Sequence, residues 1–278
     1  MSTPHRRSRC PRSSPDVTPS VADLPGGWAR APYLLVAHGR SAVQAHWRTG
    51  DALVVALEGS ARSVGVVGLG PAGDVAHLMR RAVADLRDAT SVPGGPTRWV
   101  TVPRGTWDLL DGATASAFDD WSGPSAWDCM WTRRPLVDVP DHAVERLAPE
   151  DPAVRDEVAE ALARAHPSAS TSPHDSRLVG WWGARVGGRL VAVVGALRYA
   201  PGLAPHLVSL GVDPAHRGRG LAGAVLAAAV QDGLTDGTDV GPATVWLGLH
   251  ANNAVARRVY LRHGFGLGHE FESRVAPA

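Results

Sequence analysis

Apolar positions in the second half of the chain fall into blocks that have the periods of strands and helices. Residues 180–186 and 189–199 flank Gly187-Gly188 and predict a β-hairpin. Residues 152–164 combine acidic and apolar positions at helical spacing. Further along, the pattern predicts a strand at 206–212, a helix at 220–232, a strand at 243–249, a helix at 252–263 and a strand at 265–275.

The first half has a similar alternation with weaker signals. Residues 33–37 suit either a short strand or a short helix, and residues 41–48 predict a short helix. Apolar spacing over 74–86 predicts a helix with Asp74 as its N-cap. The predicted strands of this half are 53–57, 63–67, 99–102 and 127–132.

The chain divides into three segments by composition. Residues 1–27 are rich in Ser, Pro and Arg, which predicts a disordered leader, and no apolar run follows that would make it a signal peptide. Residues 28–136 form an N-terminal α/β lobe and residues 137–278 a second domain. The whole is 278 residues long, which suits two domains.

Charge and cysteine content limit the function classes. The net charge is +1, so there is no electrostatic case for nucleic acid or a membrane surface as a partner. No apolar run approaches a membrane span. Cys10 and Cys129 imply no disulfide framework, so a cytoplasmic location is the expectation. No His/Cys/Asp cluster has metal-ligand spacing, and we expect no metal.

A basic, glycine-rich loop lies between a predicted strand and a predicted helix. Its residues are Arg217, Gly218, Arg219, Gly220, Leu221 and Ala222. Glycines let the backbone curl tightly against a ligand, and the first N–H groups of a helix bind anions. The arginines add donors for phosphate oxygens. The segment therefore predicts a pyrophosphate site at a helix N-terminus. A Walker A loop is excluded because the chain contains no lysine.

Two motifs in order resemble the GNAT superfamily of acyl-CoA N-acyltransferases. The loop Arg217-x-x-Gly220-x-Ala222 resembles the family's coenzyme A loop. About thirty residues later come residues in the family's Asn-x-x-Ala-x-x-x-Tyr and Gly-Phe pattern, namely Asn253, Ala256, Tyr260, Gly264 and Phe265. The only two asparagines of the chain are Asn252 and Asn253. The resemblance covers residues 140–278 and implies a GNAT fold, with a mixed, mostly antiparallel sheet flanked by helices.

The resemblance also implies roles for single residues. The loop 217–222 would hold the pyrophosphate of acetyl-CoA, and the strand 208–212 would splay from its neighbour. The backbone N–H of Leu210 would face the thioester carbonyl. Val212 would pair with the pantetheine amides, and Asn253 would hold the pantetheine arm.

Two residues are candidates for proton transfer because of their chemistry and their positions in the chain. Tyr260 is the expected general acid for the leaving thiolate, since a phenol suits that proton transfer; a plain core tyrosine is the alternative. His206 lies four residues before Leu210 and would share its strand face unless a bulge intervenes. It is either the general base or a surface histidine after Pro205. His174 and His250 are weaker candidates.

Two features of the first lobe have alternative explanations. Gly68–Gly73 formally matches a dinucleotide loop, but the expected acidic ribose ligand is missing, so we do not expect nicotinamide binding. The lobe is either a degenerate GNAT-like repeat or a plain α/β lobe. It holds seven of the ten tryptophans, at 28, 47, 99, 107, 121, 127 and 131. They either line an acceptor pocket between the lobes or, as we expect for most, pack the core.

The combined hypothesis is an N-acetyltransferase that transfers the acetyl group of acetyl-CoA to a primary amine of a small molecule or peptide. A non-catalytic acyl-CoA-binding module is the alternative from another class. The sequence does not specify the acceptor, the acyl chain length or the oligomeric state.

Overall fold

The computed structural model describes residues 19–59, 62–87, 95–169 and 171–277. Residues 1–18 of the expected leader, and with them Cys10, lie outside the described residues. Residues 19–27, the last part of the expected leader, are folded, whereas the composition predicted disorder. Two 3-10 turns, Val21–Asp23 and Gly26–Arg30, begin there. The side chain of Val21 is fully buried, which the Ser/Pro-rich composition around it did not indicate.

Six α-helices and eleven β-strands make up the described chain. The helices are α1 Pro32–His38, α2 Ala72–Arg87, α3 Gly112–Ala115, α4 Pro152–Ala165, α5 Leu221–Asp236 and α6 Ala254–Arg262. The strands are β1 Val43–Arg48, β2 Leu53–Gly59, β3 Ser63–Leu69, β4 Thr97–Pro103, β5 Ser125–Thr132, β6 Glu145–Leu147, β7 Leu178–Val186, β8 Arg189–Leu197, β9 His206–Val212, β10 Val245–His250 and β11 Gly266–Val275.

The elements divide into two compact units. The first comprises the described residues up to Asp128, with His250–Asn252 and the chain from His269 on. Its strand order is β1-β2-β3-β4-β11. The pairs are antiparallel apart from β3–β4, which is parallel and connected through α2. Its core joins Val54, Val66 and Val100 of the strands to Leu78 and Met79 of α2.

The second unit comprises Cys129–Leu249 and Asn253–Gly268. Its strand order is β5-β10-β9-β8-β7-β6. The pairs β6–β7, β7–β8 and β8–β9 are antiparallel, and β9–β10 is parallel and connected through α5. One face of the sheet packs on α5, through a core that includes Val194 and Leu226. The other face packs on α4, through Val158 and Val193.

The two units therefore contain the same sequence of connections. In each, two antiparallel strands lead into a helix and then into a strand parallel to the second one. Parallel neighbours require such a crossover, and a helix usually supplies it. The mixed sheet flanked by helices that was expected for the second domain is confirmed.

Two local predictions were wrong. Residues 41–48 were expected to form a helix, but Val43–Arg48 is a strand paired with β2. Val43, Ala45 and Trp47 alternate with polar residues, and this period of two indicated a strand. Asp74 is not an N-cap, because α2 already begins at Ala72. Its carboxylate lies in the first turn, where it still complements the helix dipole.

Several tryptophans of the first half pack or bond within their own unit. The indole N–H of Trp47 donates to Asp85 at 2.9 Å. Trp107 and Trp121 both contact Phe118 edge-on. The ring of Trp99 covers Gly65, where a Cβ would lie 1.9 Å from it. For these residues the packing interpretation is confirmed. In the part of the chain that the structure describes, no helix is long and apolar enough to cross a membrane.

Candidate active site

The two parallel strands of the second unit separate soon after they meet. Pairing between β9 and β10 covers only His206 with Trp246 and Leu207 with Leu247. Strand β9 continues for five more residues, to Val212, and pairs there with β8. The edge of β9 that faces away from β8 is thus left without its β10 partner, as the splayed strand expected from the resemblance requires.

A β-bulge lies in β9 at the point of separation. Val208 pairs with Gly195 and Gly211 pairs with Val193, so Ser209 and Leu210 stand opposite Val194 alone. Ser209 has a φ of +54°, an uncommon value for a residue other than glycine. A bulge leaves its extra residue out of the ladder and redirects the backbone. Leu210, the expected oxyanion donor, is therefore in the one part of β9 whose regular pairing is interrupted.

The bulge changes which side chains share a face. Leu207 and Leu210 both pack against the core that contains α5, although they are three residues apart. In a regular strand, residues three apart point to opposite faces. His206 is the immediate neighbour of Leu207 and so lies on the opposite face from Leu210. The expected shared face of His206 and Leu210 is therefore wrong, because one extra residue inverts the alternation.

His206 is held in an aromatic stack. Its ring lies 3.9 Å from that of Trp246 in near-parallel orientation, and Tyr199 stacks on it as well. The Tyr199 hydroxyl and Nδ1 of His206 form a hydrogen bond of 2.9 Å. Burial, with a smaller contribution from the Arg177 charge, lowers the pKa of His206 to about 3. Such an imidazole stays neutral at pH 7 and is too weakly basic to take a proton from an ammonium ion.

The glycine-rich loop has the backbone that was expected of it. Gly218 and Gly220 have φ of +75° and +80°, values that only glycine adopts readily. Gly220 is the N-cap of α5 and supplies no side-chain cap. The first N–H groups of that helix therefore receive no side-chain acceptor from the N-cap residue. They can bind another acceptor at the positive end of the helix dipole.

The arginines of the loop bind backbone carbonyls. Nε of Arg217 donates to Val212 O at 3.1 Å, and its Nη2 donates to Ala165 O at 3.3 Å. This side chain connects the end of β9 to the end of α4. Nη2 of Arg219 donates to Ala215 O at 3.4 Å. Part of the donor capacity of both arginines is therefore already used within the protein.

Helix α6 presents the two remaining motif residues. Asn253 is its N-cap, and its Oδ1 accepts from Ala256 N at 3.0 Å, which leaves the amide NH₂ group for a ligand. Tyr260 is buried two turns later, with its ring against Phe265. Burial raises the pKa of Tyr260 to about 12, so its hydroxyl keeps its proton at any physiological pH.

The other predicted candidates contribute less. His174 and His250 are exposed. Cys129 is fully buried, and burial raises the pKa of its thiol, so it is not a nucleophile. Within the described ranges, no group of three or more His, Cys, Asp or Glu side chains could hold a metal ion. Sequence reasoning missed Ser209, since nothing in its neighbours indicates a left-handed residue.

We predict that protonation of His206 makes the fold sensitive to acid. The unfolded chain takes up this proton near pH 6.5, and the folded chain takes it up near pH 3. The unfolded state therefore binds more protons between these values, and the free energy of unfolding falls as the pH falls. His206→Gln should lose less stability than the wild type between pH 6.5 and 4.5 in urea titrations. The exposed control His174→Gln should behave as the wild type. Equal losses in all three proteins would contradict the half-buried, neutral His206.

Comparisons with known proteins concern the family and the fold. The model of the GNAT acetyltransferase family matches residues 143–265. A GNAT-family acetyltransferase structure from Colwellia psychrerythraea is 14% identical with a TM-score of 0.50, over 93% of this chain and 92% of that one. A Drosophila protein is 15% identical with a TM-score of 0.53, over 86% and 80%. No curated protein sequence matches significantly. Residues 143–265 therefore form a domain that belongs to the GNAT acetyltransferase family and has its fold.

Proposed function

We propose that the second unit is an acyl-CoA-dependent N-acetyltransferase that transfers the acetyl group of acetyl-CoA to a primary amine of a small molecule or peptide. The observation that carries the proposal is the bulged, splayed β9, which ends at Val212, five residues before the glycine-rich loop begins at Arg217. Backbone donors and acceptors for an extended amide chain thus lead directly to an anion site. Pantetheine followed by a pyrophosphate has that order of groups.

The donor would lie along β9 with its phosphates at α5. The N–H groups at the start of α5 and the donors of Gly218–Gly220 bind the pyrophosphate. Val212 offers backbone groups to the pantetheine amides, and the free amide NH₂ of Asn253 donates to the same arm. The N–H of Leu210, within the bulge, donates to the thioester carbonyl and stabilises its negative charge in the transition state.

The reaction proceeds by direct attack in a ternary complex. The neutral amine forms a C–N bond to the thioester carbon, and the C–S bond breaks as the tetrahedral intermediate collapses. The amine's extra proton goes to solvent, and the leaving thiolate takes a proton from Tyr260. Because the pKa of Tyr260 is about 12, its proton moves only as negative charge develops on sulfur. His206 has no proton-transfer role in this scheme, and the amine arrives neutral.

The first unit is proposed to bind no donor, although its connections match those of the second. Its parallel strands β3 and β4 stay paired over four residue pairs, from Val64 with Thr97 to Val67 with Thr101. The Trp99 ring fills the space above Gly65. At Gly70 a Cβ would lie 2.2 Å from Asp51 O, so backbone already occupies the inside of the Gly68–Gly73 turn. We therefore favour a degenerate repeat without a donor slot.

Placing a carboxylate in the loop is expected to weaken CoA binding. Gly218 is the better position, because a Cβ there meets nothing within 4 Å, whereas one at Gly220 would lie 2.3 Å from Pro140 Cγ. The like charge beside the pyrophosphate should raise the Kd of CoA at least about tenfold. Isothermal titration calorimetry measures this directly. The matched control is Gly237→Glu, at the other end of α5, with a φ of +68° and the same open surroundings. Equal affinity of both variants for CoA would refute the assignment of the loop.

Tyr260→Phe is expected to lower kcat with little change in the Kd of CoA. Loss of general-acid assistance typically costs about 10²–10⁴-fold. The measurement is thiol release from acetyl-CoA with an amine selected from a panel. Tyr33→Phe, in the first unit, is the control and should keep the wild-type kcat. An unchanged kcat in Tyr260→Phe would contradict the general-acid role and leave this residue with a packing role only.

A further inference from the structure

A short segment of irregular chain, residues 137–142, lies against both helices of the donor site. We call it the strap. It precedes the residues that match the family model, which begin at 143. At its first residue, Val137 N donates to His263 O at 3.2 Å, and Nδ1 of His263 donates back to Val137 O at 2.9 Å. The next residue, Asp138, has a φ of +52°, which turns the chain toward α5.

His263 anchors the strap between the two helices. It follows the last residue of α6 and is buried, with only 6% of its surface exposed. Its ring lies on α5 at Gly223, where a Cβ would be 2.7 Å from Nε2. A glycine is therefore required at 223 for this ring to fit. The strap, the end of α6 and the first turn of α5 are thus in direct contact.

The other end of the strap contacts the glycine-rich loop. Pro140 packs closely on Gly220, because a Cβ at position 220 would lie 2.3 Å from Pro140 Cγ. His142 makes a hydrogen bond of 2.7 Å to the backbone oxygen of Arg219. A carbonyl oxygen can only accept, so Nε2 of His142 is the donor whether the ring is neutral or charged.

This hydrogen bond fixes the direction of a donor of the loop. The peptide bond between Arg219 and Gly220 is planar and trans, so its C=O and N–H point in opposite directions. With the Arg219 oxygen held by His142, the Gly220 N–H must point away from the strap. Glycines on both sides of Arg219 would otherwise allow this peptide plane to rotate.

We infer that His142 is a positioning residue for the acyl-CoA donor. It holds the peptide plane between Arg219 and Gly220 so that the Gly220 N–H faces the bound pyrophosphate. The inference rests on the proposed function, because it requires a pyrophosphate at this loop. It extends the donor site beyond the family motifs to His142. The side chain of this residue contacts the backbone of the loop and does not touch the ligand itself.

The test is the affinity for CoA of variants that differ in the donor at position 142. His142→Phe keeps a ring of similar size but has no N–H, and it should raise the Kd of CoA about tenfold. His142→Gln places an amide NH₂ near the position of Nε2 and should return the Kd to within about threefold of the wild type. Calorimetry gives both values, and thermal unfolding shows that each variant is folded. His77→Phe, an exposed histidine on α2, is the control and should bind as the wild type.

The outcomes separate this inference from the proposed function. Wild-type protein that fails to bind CoA at millimolar concentration overturns the proposed function itself. Wild type and His142→Phe that bind CoA equally well overturn the role of His142 alone. A loss in His142→Phe that His142→Gln does not restore also overturns it, because bulk or fold would then be the cause. If His142→Phe does not fold, His142→Ala takes its place with the same expected Kd.

Discussion

One extra residue in β9 determines the geometry of the candidate site. Because Ser209 and Leu210 share a single partner on β8, the ladder is interrupted where β9 leaves β10. Backbone N–H and C=O groups without a strand partner lower the stability of the fold unless water or a ligand binds them. Here the same groups lie directly upstream of an uncapped helix. The bulge, the splay and the helix N-terminus thus follow one another along a single segment of the chain, with a 3-10 turn at Pro214–His216 between β9 and the glycine-rich loop.

The two units differ mainly in how far their parallel strands stay paired. Both use antiparallel strands, a helix and a parallel strand in the same order. In the first unit, β3 and β4 remain paired over four residue pairs, and the Trp99 ring packs directly on Gly65. In the second, pairing stops after two residues. The shared connections favour a repeat, and we propose that only the second copy binds a donor.

The sequence predicted the elements of the second unit because strong local signals coincide there. The Ala/Leu-rich run after Gly220 is helical by propensity, and Gly187-Gly188 marks the hairpin. Predictions failed for two different reasons. At Val43, Ala45 and Trp47 a regular period of two indicates a strand, although a helix was expected there. The bulge at Ser209 moved His206 to the other face, and no neighbouring residue indicates it. The contact between His142 and Arg219 joins residues 77 positions apart, which no local pattern can indicate.

We propose that the backbone of β9 and the start of α5 bind an acyl-CoA thioester. The most direct test is a comparison of backbone amide chemical shifts in the free protein, with CoA and with acetyl-CoA. Both ligands should shift the amides of Gly218, Gly220 and Leu221, and the difference between the two ligands should centre on Leu210, the proposed partner of the thioester carbonyl. Shifts that centre on Gly68–Gly73, or an acetyl-dependent change that leaves Leu210 unaffected, would contradict the account.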